Sequence, residues 1–231
     1  MSSAPQTSSS PAVSAPLTLA LSKGRIFEET LPLLAAAGVQ VAEDPETSRK
    51  LILPTTDANL RVIIVRATDV PTYVEYGAAD LGVCGRDVLD ERASDLYRPL
   101  DLGIGKCRMI VAGPVRDGAE RSESLRLGQQ ASLPRIATKY PRTAAAHFAR
   151  RGIQAEVVYV IGSVELAPIT GLAELIVDLV ETGATLVQNG LEEREEVARI
   201  STMLVANRAS FKLRQEMIGP LVARLREATG G

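Results

Sequence analysis

From residue 17 onward, short aliphatic runs alternate with amphipathic stretches. Residues 17–22 (LTLALS) have the length of a strand rather than of a helix. Arg25–Ala37 carries Phe27, Leu31 and Leu34 at helical spacing, Glu28 and Glu29 in its first turn, and Gly38 at the C′ position. Pro32 removes one backbone donor inside that stretch and predicts a weakened middle. Further strands are predicted at 61–66 (RVIIVR), 80–85 (DLGVCG), 107–113 (CRMIVAG), 134–138 (PRIAT), 155–161 (AEVVYVI), 174–180 (ELIVDLV) and 201–209 (STMLVANRA). Between them fall a short helix capped by Thr68 or Asp69 with Pro71 in its first turn, and another at 86–93. A third spans 142–151 and stops at Gly152, and a polar-faced helix runs from Phe211 to Ala228. Strands alternating with helices predict α/β layers with largely parallel sheets.

The segment 114–132 (PVRDGAERSESLRLGQQAS) is the most polar and least periodic, and reads as a linker or insertion. It separates two α/β units, and the last strand and helix are free to return to the first. The expected organisation is a disordered leader at 1–16, one lobe from 17–107 plus 202–231, and a second lobe from 108–201, with a cleft between them.

Composition narrows the chemistry. Only 3% of residues are aromatic and none is Trp, so the core must be aliphatic. A formal net charge of −2 supplies no broad attraction for nucleic acid or anionic lipid, so any anionic ligand must be held by local groups. Cys84 and Cys107 lie in apolar runs without a CxxC pair and read as reduced thiols. The single histidine, His147, sits in a helical stretch without a Cys or acidic cluster, and reads as structural rather than as a zinc ligand. No apolar run reaches the roughly 20 residues of a membrane helix, and the Ser/Pro-rich start lacks the regions of a signal peptide. A cytoplasmic protein is expected.

Three stretches could carry chemistry. In LALSKGRIFEET (19–30), a strand end meets a helix start through Ser22, Lys23, Gly24 and Arg25. Free amides at a helix N-terminus favour an anion, yet the same turn could be solvated with two surface cations. In DPETSRKLILP, Arg49 and Lys50 precede an apolar run, which by itself favours a solvated strand entrance. DLGIGKCRM lacks the spacing and the hydroxyl of a P-loop and reads as a turn between strands. In ELIVDLVETGATL, a buried strand delivers Asp178 towards its carboxyl end, where α/β sheets bind ligands. Thr182, Gly183, Ala184 and Thr185 follow, small enough to expose backbone N–H groups and two hydroxyls to a phosphate. A plain turn with Thr caps fits the same four residues equally well.

The run ELAPITGLAELIVDLVETGATL (165–186) resembles the signature of the ATP phosphoribosyltransferase family. The match includes Glu165, Gly171, Ala173, Ile176, Asp178, Thr182, Gly183, Thr185 and Leu186 in register. LALSKGRIFEETLPLL, SRKLI, DVPTYVEYGAADLGVCGRD and NGLEE resemble the same family in the same order, so that the likeness runs from residue 17 to about 215. The resemblance implies two α/β lobes like a type II periplasmic binding protein. It also implies transfer of a phosphoribosyl group from 5-phosphoribosyl 1-pyrophosphate to N1 of ATP, the first step of histidine biosynthesis. The chain length is similar to that of the short form, which implies a regulatory subunit resembling histidyl-tRNA synthetase and a hetero-octamer.

On that resemblance, residues 182–186, Leu186 included, hold the 5-phosphate, while Asp178 and Glu165 serve the ribose. Lys23, Gly24, Arg25 and Arg49 serve the ATP phosphates and the departing pyrophosphate, with Arg25 and Arg49 as the catalytic pair. Mg2+ rides mainly on the pyrophosphate, with no metal ligand expected from protein side chains. A non-catalytic two-lobe solute-binding module is one rival. A nucleobase phosphoribosyltransferase is another, but its loop normally shows two adjacent acids, and here Leu179 follows Asp178.

Overall fold

A computed structural model describes residues 15–43, 48–115 and 133–230. The leader expected at 1–16 falls outside these except for its last two residues, as does nearly all of the linker expected at 114–132. The first half contains β1 (Leu17–Ser22), α1 (Arg25–Ala36), β2 (Ile52–Pro54), β3 (Leu60–Val65), α2 (Val70–Glu75), β4 (Leu81–Gly85), α3 (Arg86–Arg92) and β5 (Tyr97–Asp101). Next come β6 (Cys107–Pro114), β7 (Arg135–Thr138), α4 (Pro141–Arg150), β8 (Glu156–Tyr159), α5 (Leu166–Ile169), β9 (Leu175–Val180), α6 (Ala184–Gln188) and β10 (Leu191–Ile200). The chain closes with β11 (Thr202–Ala206), α7 (Arg208–Leu213) and α8 (Gln215–Ala228).

The strands form two sheets, one ordered β2-β3-β1-β4-β11-β5 and the other β10-β6-β9-β7-β8. Every residue of β1 and β4 is buried, as continuous apolar strands covered on both faces should be. One face of the first sheet packs Leu19, Leu21 and Leu204 against Phe27 and Leu34 of α1 and Ile218 and Leu221 of α8. Its other face packs Ala20 and Val205 against Val70 and Val74 of α2. The second sheet is likewise covered on two sides. Val111 and Val177 meet Phe148 of α4, while Ile110 and Ile176 meet Ala167 and Leu186.

The expectation of largely parallel sheets needs correction. β3, β1 and β4 run parallel, as do β9, β7 and β8, but β2, β11, β5, β6 and β10 all pair antiparallel. The reason is twofold: β2 turns directly into β3 as a hairpin, and the chain crosses between the sheets twice, each crossing returning a strand in the opposite sense. Between β5 and β6 it passes through Leu102–Lys106, and between β10 and β11 through Ser201 alone. These two crossings are bonded to one another: Leu102 N–H donates to Thr202 O at 2.9 Å and Thr202 N–H to Ile104 O at 3.0 Å. Gly105 lies here with φ +59°, and a Cβ on it would stand 2.7 Å from the Thr202 hydroxyl. The glycine-rich stretch is thus the turn between strands that its sequence suggested.

Several boundaries also shift. The strand read at 201–209 stops at Ala206, because Asn207 accepts from Ser210 N–H at 3.0 Å and caps α7. The single terminal helix is two, broken at Arg214, whose guanidinium turns back to Asp80 at 2.8 Å. α1 continues through Pro32, and Gly38 takes φ +78° with its N–H on Ala35 O, as its C′ position predicts.

Candidate functional site

β9 pairs with β7 on one side and β6 on the other, which fixes Asp178 beside Ile110. Successive strand residues face opposite sides, so Ile176 and Asp178 share the face that carries α5 and α6. At the end of β9 the chain turns through Glu181, Thr182 and Gly183 into α6. Gly183 makes that turn possible by adopting the left-handed region, φ +78°, where an L side chain is strained. Thr182 Oγ1 approaches Ala184 N–H at 3.4 Å, while Leu186 and Val187 N–H both turn to Gly183 O. The N–H groups of Gly183 and Thr185 make no hydrogen bond to a described residue.

A cavity of about 250 Å³ opens at this turn, lined by Glu165, Asp178, Glu181 and residues 182–186. All seven residues assigned to the phosphoribosyl donor from sequence are therefore gathered in one place. Their contributions differ. Thr182, Ala184 and Thr185 are exposed to the cavity, whereas Leu186 is buried and anchors the turn to the core. Asp178 Oδ1 accepts from Leu179 N–H at 2.8 Å and lies 3.9 Å from Lys139 Nζ. Burial pushes its carboxyl up from the ordinary range, and Glu165 adds to that rise, while the Leu179 amide and Lys139 oppose it.

Arg25, at the start of α1 on the other sheet's unit, meets one of the residues that line this cavity. Its guanidinium pairs with Glu181, the residue just before the turn, and with Glu29 at 3.4 Å within α1. Gly24 before it has φ +92°, with nothing within 4 Å of where a Cβ would stand, so the backbone there is open to an approaching group. Lys23 lies apart, in a more open cavity of about 530 Å³ with Ser22, Arg66, Asp69 and Tyr73, at the carboxyl ends of β1 and β3. Arg49 is exposed, lines neither cavity, and makes no hydrogen bond or ion pair with another described residue.

The two units also meet through buried polar groups. Tyr140 Oη donates to Asp87 Oδ2 at 2.8 Å, and both side chains are buried. One turn along α3, Glu91 accepts from Arg142 N–H at 2.8 Å and from Thr143 N–H at 2.9 Å, and so caps α4 from the opposite unit. Desolvation and the Asp87 carboxylate push the Tyr140 phenol far above its ordinary value. Cys107 faces this junction, and burial together with Asp87 pushes its thiol up, which suits an inert structural role. Cys84 is buried and its thiol is pushed up to about 12. His147 is buried on α4, edge-on to Phe148, and burial pulls its pKa down.

Sequence reasoning missed three residues of this site. Glu181 stands inside the run that was read closely, but only the tertiary structure sets it against Arg25. Lys139 and Tyr140 belong to ATKYP, a lysine directly after a predicted strand that ends beside β9. That position was the available signal. Among the described residues, no group of three or more His, Cys, Asp or Glu side chains converges as a metal cluster, and no helix is long and apolar enough to cross a membrane.

Comparison with known proteins bears on this geometry. The profile of the ATP phosphoribosyltransferase family matches residues 66–227. A protein of Burkholderia vietnamiensis named ATP phosphoribosyltransferase is 60% identical over 218 residues, covering 94% of this chain and 98% of its own. Among solved structures, the ATP phosphoribosyl transferase (HisG:HisZ) complex from Thermotoga maritima superposes with a TM-score of 0.77 at 35% identity, covering 93% of this chain and 98% of that one. The GluR0 ligand-binding core of Nostoc punctiforme, in complex with L-glutamate, gives 0.54 at 13% identity, covering 92% of each chain. This last likeness concerns the fold alone: two α/β lobes with a cleft between them.

Proposed function

The chain belongs to the ATP phosphoribosyltransferase family, and we propose that it joins N1 of ATP to the anomeric carbon of 5-phosphoribosyl 1-pyrophosphate, as the first step of histidine biosynthesis. The observation that carries this reading is the cradle at the end of β9. Unpartnered backbone N–H groups and two threonine hydroxyls surround it, acids stand on its wall, and Arg25 arrives from the facing lobe. We place the lobe boundaries at 17–107 plus 202–231 and at 108–201; the strand membership of the two sheets supports this division except at Cys107, the first residue of β6.

In this reaction a C–N bond forms at the anomeric carbon as the C–O bond to pyrophosphate breaks. Adenine N1 attacks with a lone pair it already holds, so no general base is needed before bond formation. The demand falls on positioning and on electrostatics. The N–H groups of Gly183 and Thr185, with the hydroxyls of Thr182 and Thr185, bind the 5-phosphate. Asp178 and Glu165 accept from the ribose hydroxyls and stabilise positive charge on the ring. Arg25 exchanges its carboxylate partners for pyrophosphate oxygens as they gain charge, and its planar fork suits them. Lys23, in the first lobe's cavity, serves the triphosphate of ATP, and Arg49 closes on the leaving group from the segment before β2.

Mg2+ fits this arrangement as an ion carried mainly by the substrate. Glu165, Asp178 and Glu181 line the cavity, and Mg2+ prefers substrate phosphates and water to an all-protein cage. When bound it offsets charge on the pyrophosphate. The likeness to a chain of the HisG:HisZ complex supports a partner of the HisZ kind; we propose that this partner resembles histidyl-tRNA synthetase, assembles with the chain as a hetero-octamer and works with it in the cytoplasm.

The test is direct. The chain is mixed with ATP, the phosphoribosyl donor and magnesium, and the near-ultraviolet absorbance of the adduct is followed. Arg25→Ala should lower kcat on the order of 10²–10³-fold, as loss of one transition-state donor does. Turnover within threefold of wild type removes Arg25 from the leaving-group role.

A further inference from the structure

Asp178 occupies an awkward position for a carboxylate that must stay charged. It is half-buried on β9, with apolar Ile110 directly across the ladder on β6 and a second acid, Glu165, approaching from the start of α5. On the β7 side, Thr138 spends its hydroxyl on Val177 O at 2.6 Å and offers Asp178 nothing. The next residue is different. Lys139 Nζ lies 3.9 Å from Asp178 Oδ1, and the same ammonium sits 5.0 Å from the centroid of the Tyr140 ring. Tyr140 is itself fixed, because its hydroxyl is tied to Asp87 of the facing lobe at 2.8 Å. Lys139 is therefore not a loose surface cation. Its stem leaves the end of β7, and its head rests on a buried aromatic face, where a cation is attracted to the ring.

We propose that Lys139 is a positioning residue for the reaction: carried on the Tyr140 ring, it is the fixed counter-charge that keeps the Asp178 carboxylate in the donor cleft. This rests on the reading of Asp178 as a donor-binding acid. The groups facing Asp178 are Lys139 from the β7–α4 turn, Glu165 from the approach to α5, the Leu179 amide, and the Tyr140 phenol, which stays neutral. Of these, Lys139 is the cation. Without it, burial and Glu165 act on Asp178 against the Leu179 amide alone, and the carboxylate takes up a proton at higher pH.

The experiment compares Lys139→Met, Lys139→Arg and Asp178→Asn in the full-length chain, measuring kcat/KM for the phosphoribosyl donor at saturating ATP across the acid limb. Lys139→Met should lose roughly two- to fivefold at mildly acid pH relative to its own value at pH 8, the range set by a partly exposed ion pair. Lys139→Arg should restore the wild-type profile, since charge rather than chain identity is required. A merely structural role for Lys139 would lower activity equally at every pH. Parallel profiles for Lys139→Met and wild type would overturn the proposal, while a drop in donor affinity for Asp178→Asn would leave the underlying reading intact. Unchanged donor affinity and an unchanged acid limb in Asp178→Asn would overturn both.

Discussion

Replacing Tyr140 by Phe should destabilise the protein by about 2 kcal/mol, within the roughly 1.5–3 kcal/mol of a hydrogen bond to a charged group. The structure supplies the terms. Tyr140 is 5% exposed and Asp87 8%, so water cannot readily replace the lost phenol donor. The bond is 2.8 Å long and joins α3 of the first lobe to the residue before α4 of the second. Phe keeps the ring and its packing against Ala144 and Phe148, so cavity formation adds little. What remains is a buried carboxylate oxygen deprived of its donor. For a chain of this size about 2 kcal/mol lowers Tm by roughly 4–8 °C. Urea denaturation followed by circular dichroism measures the change directly. Adding Asp87→Asn to Tyr140→Phe should recover part of the loss, because it removes the stranded charge. A Tyr140→Phe chain within about 0.5 kcal/mol of wild type, the usual range for surface changes, would refute the claim that this bond ties the lobes together.

Two further outcomes follow from the site and from the second sheet. Thr185→Val keeps the shape of the cradle but removes a hydroxyl, and should weaken donor binding on the order of tenfold or more, as loss of a hydrogen bond to a charged group does; unchanged affinity by calorimetry would count against the cradle assignment. Burial lowers the pKa of His147 against the opposing pull of Glu195, so the unfolded chain binds its proton more readily than the folded one. Stability should therefore fall as pH drops below about 6.5, and His147→Gln should flatten that dependence; an unchanged slope would show that other groups carry it.

The legible part of this protein was what lies close in sequence. Apolar runs located β1, β3, β4, β6, β7 and β9, because a strand covered on both faces must be apolar throughout, as the full burial of β1 and β4 illustrates. The turn at 182–186 could be read because Asp, Thr, Gly and Thr stand in one short stretch, and the cradle is built from that stretch and its own strand. β10 was not legible. LEEREEVARI lies at the sheet edge, is half-exposed along most of its length and carries two register shifts, so its acids obscure the alternation that would mark a strand. Nor was the mixed direction of the sheets, since strand sense depends on the two crossings and the β2–β3 hairpin rather than on any strand's own residues.

Sequence by itself determined the family, the two α/β units and the contents of the donor loop, all of which rest on local pattern and residue order. Only the tertiary structure decided which charges meet: Arg25 with Glu181 across 156 positions, Lys139 with Asp178, and Tyr140 with Asp87. It also separated Lys23 and Arg25, two positions apart in the chain: Lys23 lines the first lobe's cavity, while Arg25 pairs with Glu181 beside the donor turn. The physical reason is that electrostatic partnership depends on distance in space and on burial, and neither is fixed until the lobes have packed.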